Sequence, residues 1–352
     1  MMRLVYVNGF LLEKQPHWKE RARFLADVRT TLPFYIFFHD RSGHFPNELN
    51  IKTLHEIPRP RAHMPAFADL LQRLIDAFIL RVLESGRRVY VAYSGGIDST
   101  AVMCAILRSD HFPRLKRERA LLAGLTGRSI DENPEFFYRS VSKECEISAI
   151  DFSRIGDPGV VYTGGEYGDQ LVASLMIDYL QERYGGTDRH LLPWLEGLND
   201  YIKSGSFRPS SMAHFESFAE TAPFPLRNSL QYWWWFDFCT KWQEIYFRAY
   251  RWSRHHLTEE QLRESIYYPF ASVDFQQWAM AHMADADAPR DYRRSKAPML
   301  DFIYAYNHDR DYYDHKIKIP SQRYTGRFVY KNGVREDFSS IWDINTGLGL
   351  FT

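Results

Sequence analysis

The sequence predicts an α/β protein built on a doubly wound, mostly parallel sheet, with a helical C-terminal part and a small α+β region ahead of it. Three observations carry this expectation. Residues 89–93 (VYVAY) and 160–163 (VVYT) are β-branched and aromatic runs, and each leads through a glycine pair into a helical pattern. Further strand-like runs at 120–126 and 145–152 alternate with helical segments, as βαβ units do. Finally, 352 residues at 45% hydrophobic content can bury a sizeable core in one large or two smaller domains.

Taken in order, residues 1–63 read as the small α+β region. LVYVNGFLL has a hairpin pattern with Asn8-Gly9 at the turn, TLPFYIFFHD reads as a buried strand, and the prolines of IPRPRAHMP mark a linker. From Pro65 to Leu83, Phe67, Leu70, Leu71, Leu74, Ile75, Phe78, Ile79 and Val82 recur every three to four positions, which predicts an amphipathic helix ended by Gly86. The main domain is expected over 64–320. Within it lie the strand 89–93, a helix from Thr100 to Arg108, a basic solvated connection at 114–119 and a strand ending at Leu125-Thr126. A short helix at 134–142, the strand CEISAIDF and a helix from Gln170 to Leu180 follow. A helical and loop insert near 194–252 ends in a long aromatic helix at 226–252, read as core packing rather than a base-stacking surface. Residues 321–352 form a tail with a hairpin about Asn332-Gly333.

Lys+Arg and Asp+Glu each total 44, so no global field draws the chain to nucleic acid, a membrane or an acidic partner. Cys104, Cys145 and Cys239 are too few and scattered for a disulfide framework, which suits a reducing compartment. The first residues show no basic segment followed by an apolar run, and no apolar stretch reaches the roughly 18 residues of a membrane span. A cytoplasmic protein without membrane contact is expected.

The chemistry concentrates in Ala92-Tyr93-Ser94-Gly95-Gly96-Ile97-Asp98-Ser99-Thr100. A glycine pair lets backbone approach a ligand closely, and the N–H groups opening the next helix favour an anion. Ser94, Ser99 and Thr100 add hydroxyl donors, while Asp98 suits a phosphate site when a cation lies between. ATP with Mg²⁺ meets these demands. The pattern is neither a Walker A loop nor a dinucleotide fingerprint. In a doubly wound sheet the neighbouring strand end at Leu125 is where the base would lie. A second constellation repeats the device: after the strand at 160–163 come Gly164, Gly165, Glu166 and Asp169, then a helix. Asp98 and Asp169 thus stand at two strand ends, an arrangement suited to one shared Mg²⁺, and Glu166 is placed to orient or deprotonate a nucleophile.

Ser94 to Ser99, S-G-G-x-D-S, resembles the pyrophosphate-binding loop (PP-loop) of ATP pyrophosphatases, which cleave ATP to AMP and pyrophosphate while adenylating a substrate. With GGEYGDQL following at 164–171, the pair is similar to the synthetase domain of asparagine synthetases, whose second motif is G-E-G-[AS]-D-E. Gly165, Glu166 and Asp169 match that motif, Gly168 stands for its small residue, and Tyr167 and Gln170 replace a glycine and a glutamate. YYPFASVDFQQWAM (267–280) resembles the family segment R-x-P-F-L-D, with Ser272 at the aspartate position. SKAPML (295–300) resembles K-x-x-L-R, with Lys296 as the lysine and Leu300 in place of the arginine. The resemblance covers roughly residues 86–320. It implies Mg²⁺-pyrophosphate on Asp98 and Asp169, engagement of the amine or acceptor by Glu166, and charge stabilisation at the α-phosphate by Lys296.

Glutamine-using members begin with a catalytic cysteine and a glutaminase domain. Here no cysteine precedes Cys104 and the leading segment is too short for that domain. The expectation is therefore a ligase that adenylates a small-molecule carboxylate and passes it to ammonia, an amine, or nitrogen delivered by a separate protein. Two alternatives compete. A PP-loop enzyme modifying a tRNA or nucleobase would call for a basic face and reactive cysteines, and a non-catalytic nucleotide-binding module would not require Asp98, Glu166 and Asp169 together.

Overall fold

A computed structural model of the protein describes residues 39–183, 188–201, 212–250, 257–285 and 291–316, with short strands towards both ends and a few single residues besides. Its centre is a five-stranded, all-parallel sheet of β1 (Arg88–Tyr93), β2 (Leu121–Leu125), β3 (Glu146–Ala149), β4 (Val160–Gly164) and β5 (Ile266–Tyr267). The spatial order is β3-β2-β1-β4-β5. Chain order therefore runs outward in one direction from β1 to β3, then returns to β4 on β1's other side. That reversal is the topological switch point, beyond the carboxyl ends of β1 and β4, where sheets of this kind bind their ligands.

The sheet is parallel because both of its faces are covered. β1, β2 and β4 are near-continuous apolar runs, with Val89, Tyr90, Val91, Leu121, Leu122, Ala123, Val160 and Val161 buried, as strands packed on both sides require. The predicted amphipathic helix is α1 (Phe67–Glu84), closed at Gly86 with φ 68°. α1 packs on α2 (Ile97–Arg108), the helix that leaves the first loop. After β2 comes α3 (Ser129–Glu132), and after β4 come α4 (Gly168–Leu171) and α5 (Ser174–Arg183). The basic stretch at 114–119 is largely the short helix Phe112–Arg117, whose charges pair outward in Arg114–Glu118 and Lys116–Glu144.

The expected insert is helical: α6 (Trp194–Tyr201), α7 (Met212–Phe218), α8 (Ser229–Thr240) and α9 (Trp242–Tyr250). The single long aromatic helix of the sequence reading is two helices, parted at Lys241. Within α8, Leu230, Tyr232, Trp233, Trp234, Trp235, Phe236, Phe238 and Cys239 are all buried. A helix apolar on every side becomes a central core element rather than a surface one. Last come α10 (Val273–Asp285), α11 (Tyr292–Ser295), α12 (Ala297–Asn307) and α13 (Arg310–His315), with α12 lying against α1 and α2.

Near the ends, Phe328–Lys331 pairs antiparallel with Val334–Asp337, the hairpin expected there. Strand Arg3–Val7 pairs with Leu348–Phe351. The two regions that the sequence reading kept apart thus share a small sheet, while Asn8, Gly9 and the strand expected over 31–38 lie outside the described residues. No helix among the described residues is long and apolar enough to cross a membrane.

Candidate functional site

The first loop is Ser94 to Gly96, between β1 and α2. Gly95 adopts φ 75°, and a Cβ there would lie 2.2 Å from the Ser129 carbonyl oxygen and 2.7 Å from Glu132 Cβ. Only glycine serves at so close an approach in the left-handed region. Two hydroxyls knit the loop to its helix: Ser94 Oγ lies 2.9 Å from Ser99 Oγ, which also accepts from Ser94 N–H and donates to the Gly96 carbonyl at 3.1 Å. Thr100, by contrast, is fully buried beside Tyr93 and Tyr312 rather than facing the loop. Ala92 and Tyr93 end β1, with Tyr93 wholly inside the core. Leu125 is buried at the end of β2 and its carbonyl accepts from Ile150 N–H, so its side chain belongs to the core.

The second loop lies directly on the first. A Cβ on Gly165 would stand 2.4 Å from Ser99 N, and one on Gly168 would stand 2.4 Å from Asp98 Cγ. Gly164 lies beside Ala92 in the paired strands. Tyr167, at the position where a glycine was expected, has φ 73°. Its ring is buried against Trp242 and Tyr268, and its hydroxyl donates to the Trp242 carbonyl at 2.9 Å. Holding a non-glycine residue in this region costs about 1–2 kcal/mol, which the aromatic packing offsets. Glu166 sits half-buried in the turn between β4 and α4.

Lys296 joins the two loops. It stands at the residue before α12, 198 residues from Asp98, and its side chain is completely buried. Its ammonium donates to Asp98 Oδ1 and lies 2.9 Å from Asp169 Oδ1, while the two aspartates keep 20% and 22% of their side chains exposed. Ser174 Oγ donates to Asp169 Oδ1 at 2.6 Å. Burial opposes the charge on Lys296, but the two carboxylates outweigh it and hold the ammonium above the ordinary lysine value.

Two neighbours escaped the sequence reading. The Tyr292 hydroxyl is pushed well above its ordinary value by burial, and then by Asp169, Asp98 and Asp178. Asp237 is raised by burial, with Lys241 opposing and Asp169 adding to the rise. Their nearest sequence signals are i,i+4 spacings, Tyr292 to Lys296 and Asp237 to Lys241.

The departures from the resembled motifs have structural duties. Ser272 Oγ accepts from Phe275 N–H at 3.1 Å at the start of α10, a capping role that serine and aspartate share. Leu300 is core on α12, where an arginine would bury a charge. The Gln170 side chain is buried where a glutamate would bury a charge, and its backbone carbonyl accepts the Trp234 indole N–H at 2.8 Å. Lys316 is buried against Glu132.

The donor set suits Mg²⁺. Two hard carboxylate oxygens converge on the Lys296 ammonium, and among the described residues no group of three or more His, Cys, Asp or Glu could by itself hold a metal ion. Magnesium is commonly held in this way, by one or two carboxylates completed by phosphate oxygens and water. A groove of about 930 Å³ lined by residues including Trp194, Leu195, Glu216, Phe224 and Leu226 contains none of these residues. Comparison with protein-family models, curated proteins and solved structures yields no match.

Proposed function

We propose that the chain is an AMP-forming ligase of the PP-loop kind, similar to the synthetase domain of asparagine synthetases. It would use ATP to adenylate a small carboxylate and pass the acyl group to ammonia or an amine, supplied free or by a separate protein. A cytoplasmic setting suits its three free cysteines. One observation carries the reading: residues from three distant blocks, Asp98, Asp169 and Lys296, meet at the switch point of a parallel sheet. Two carboxylates and a buried lysine gathered at strand ends beside a glycine-rich loop favour a functional site over a packed core.

In this reading the loop from Ser94 to Gly96 and the first turn of α2 receive the phosphates, and Gly164 and Gly165 let the second loop approach them. Asp98 and Asp169 would hold Mg²⁺, which supplies positive charge to the departing pyrophosphate. Lys296 provides a compact cation beside the α-phosphate. Glu166, half-buried in the second loop, would accept a proton from the incoming amine.

Phosphorus NMR of ATP and Mg²⁺ with the protein and a panel of carboxylic acids, with and without ammonium, tests this. AMP and pyrophosphate should form with one acid, and Asp98→Asn and Asp169→Asn should each abolish that turnover with the fold retained. Glu166→Gln should spare adenylation and slow amide formation. ADP and phosphate as products, or full activity in either aspartate variant, refutes the assignment.

A further inference from the structure

Gly95, at the centre of the first loop, rests against α3 rather than against bulk solvent. The contact is with the Ser129 carbonyl and Glu132 Cβ, close enough that no side chain fits between. The position of α3 therefore decides where the loop's N–H groups point. α3 is a single turn of four residues and has little stability of its own. Its start is tied to the sheet by Ser129 Oγ, which donates to the Tyr93 carbonyl at 2.6 Å and accepts from Thr126 N–H at 2.8 Å.

Its end is held from 184 residues away. Lys316 Nζ donates to the Glu132 carbonyl at 3.0 Å and to the Glu132 carboxylate. Both side chains are more than nine-tenths buried, at 7% and 9% exposure. Lys316 follows α13 directly, its N–H donating to the Tyr312 carbonyl and its ammonium lying 5.8 Å from the Tyr312 ring centre. α13 packs on α12, and α12 packs on α2, the helix that the first loop opens. The contacts close a ring from the loop through α2, α12, α13, Lys316 and Glu132 back to Gly95.

We propose that Lys316 is a positioning residue for the nucleotide loop, acting through Glu132 to fix the brace on which Gly95 rests. Its relevance to nucleotide binding rests on the reading of Ser94 to Gly96 as a phosphate loop. A buried pair kept for stability alone could be replaced by apolar residues without loss, and often is. A positioning pair cannot, because the bond from Nζ to the Glu132 carbonyl sets the end of α3.

The experiment compares wild type, Lys316→Arg, Lys316→Met and the apolar pair Lys316→Met/Glu132→Leu, the last avoiding a buried unpaired carboxylate. Hydrogen–deuterium exchange over 93–97 is followed without nucleotide, and Mg²⁺-ATP binding by calorimetry, at a temperature where circular dichroism shows each variant folded. The expected result is exchange at the loop about tenfold faster in both methionine variants, with exchange in β1 unchanged, and near recovery in Lys316→Arg. Mg²⁺-ATP affinity should fall about tenfold alongside. Unchanged loop exchange in the folded apolar pair overturns the proposal. If loop exchange rises while wild type itself binds no ATP, the positioning role stands and the nucleotide reading fails.

Discussion

Replacing Lys296 by methionine keeps most of the side-chain volume and removes a charge that pairs with both aspartates. Removing one partner of a buried ion pair costs about 3–5 kcal/mol. Two carboxylates brought to about 4 Å repel by a similar amount, about 4 kcal/mol at an effective dielectric constant near 20. Because Asp98 and Asp169 remain 20% and 22% exposed, water relieves part of this. The expected loss is therefore at the lower end, about 3 kcal/mol. Urea unfolding followed by tryptophan fluorescence, without divalent ions, measures it. Mg²⁺ should then stabilise the variant, by about 2.7 kcal/mol at a concentration one hundred times its dissociation constant. A loss below about 1 kcal/mol, the range of solvent-exposed pairs, refutes the view that Lys296 holds the loops together. A larger loss on which Mg²⁺ has no effect refutes the two aspartates as a cation site.

Gly165→Ala should lose more stability than Gly168→Ala, since the first drives a methyl into backbone at Ser99 and the second meets a side chain that can turn. About 2 kcal/mol or more is expected for Gly165, read from urea midpoints, and equal costs would contradict the interlocked loops. Tyr167→Phe should cost about 0.5–1.5 kcal/mol, the net worth of one hydrogen bond, because the Trp242 carbonyl opens α9 and keeps its helical partner. Tyr167→Gly relieves the backbone but empties the space beside Trp242, so a net loss of about 2–4 kcal/mol is expected, and a gain would show that strain dominates. Burial pushes the His39 ring down to about 4 and the His55 ring down to about 3, against unfolded values near 6.5. The unfolded chain binds the extra protons, so their contribution is full above pH 6.5 and is lost as pH falls towards 4 and 3. His39 accounts for about 3 kcal/mol of this. His39→Gln should flatten the dependence of the urea midpoint on pH between 4 and 6.5, and an unaltered slope would refute the assignment.

The strand and loop pattern was legible because its causes are local. A run such as Val89 to Tyr93 disfavours helix, paired glycines permit a turn that other residues resist, and apolar spacing from Phe67 to Val82 specifies one helical face. The same locality misled at 226–252, where periodicity gave no sign of the break at Lys241 because every face of α8 is apolar. It also set aside residues with no local signature. Neither Glu132 nor Lys316 stands out in the sequence, and only the fold buries one against the other.

By itself the sequence marked four of the five strands of the central sheet, the helix Phe67–Glu84 and the two glycine turns, and it marked Asp98, Asp169 and Lys296 as chemically eligible, but it gave neither β5 nor the breaks at Lys241 and between α4 and α5. Only the tertiary structure decided that the strands run β3-β2-β1-β4-β5, that Thr100 and Leu125 turn inward, and that Lys296 reaches both aspartates. The reason is physical: backbone preference acts over a few residues, whereas the direction of a side chain and the partner of a buried charge depend on packing between segments up to 198 residues apart.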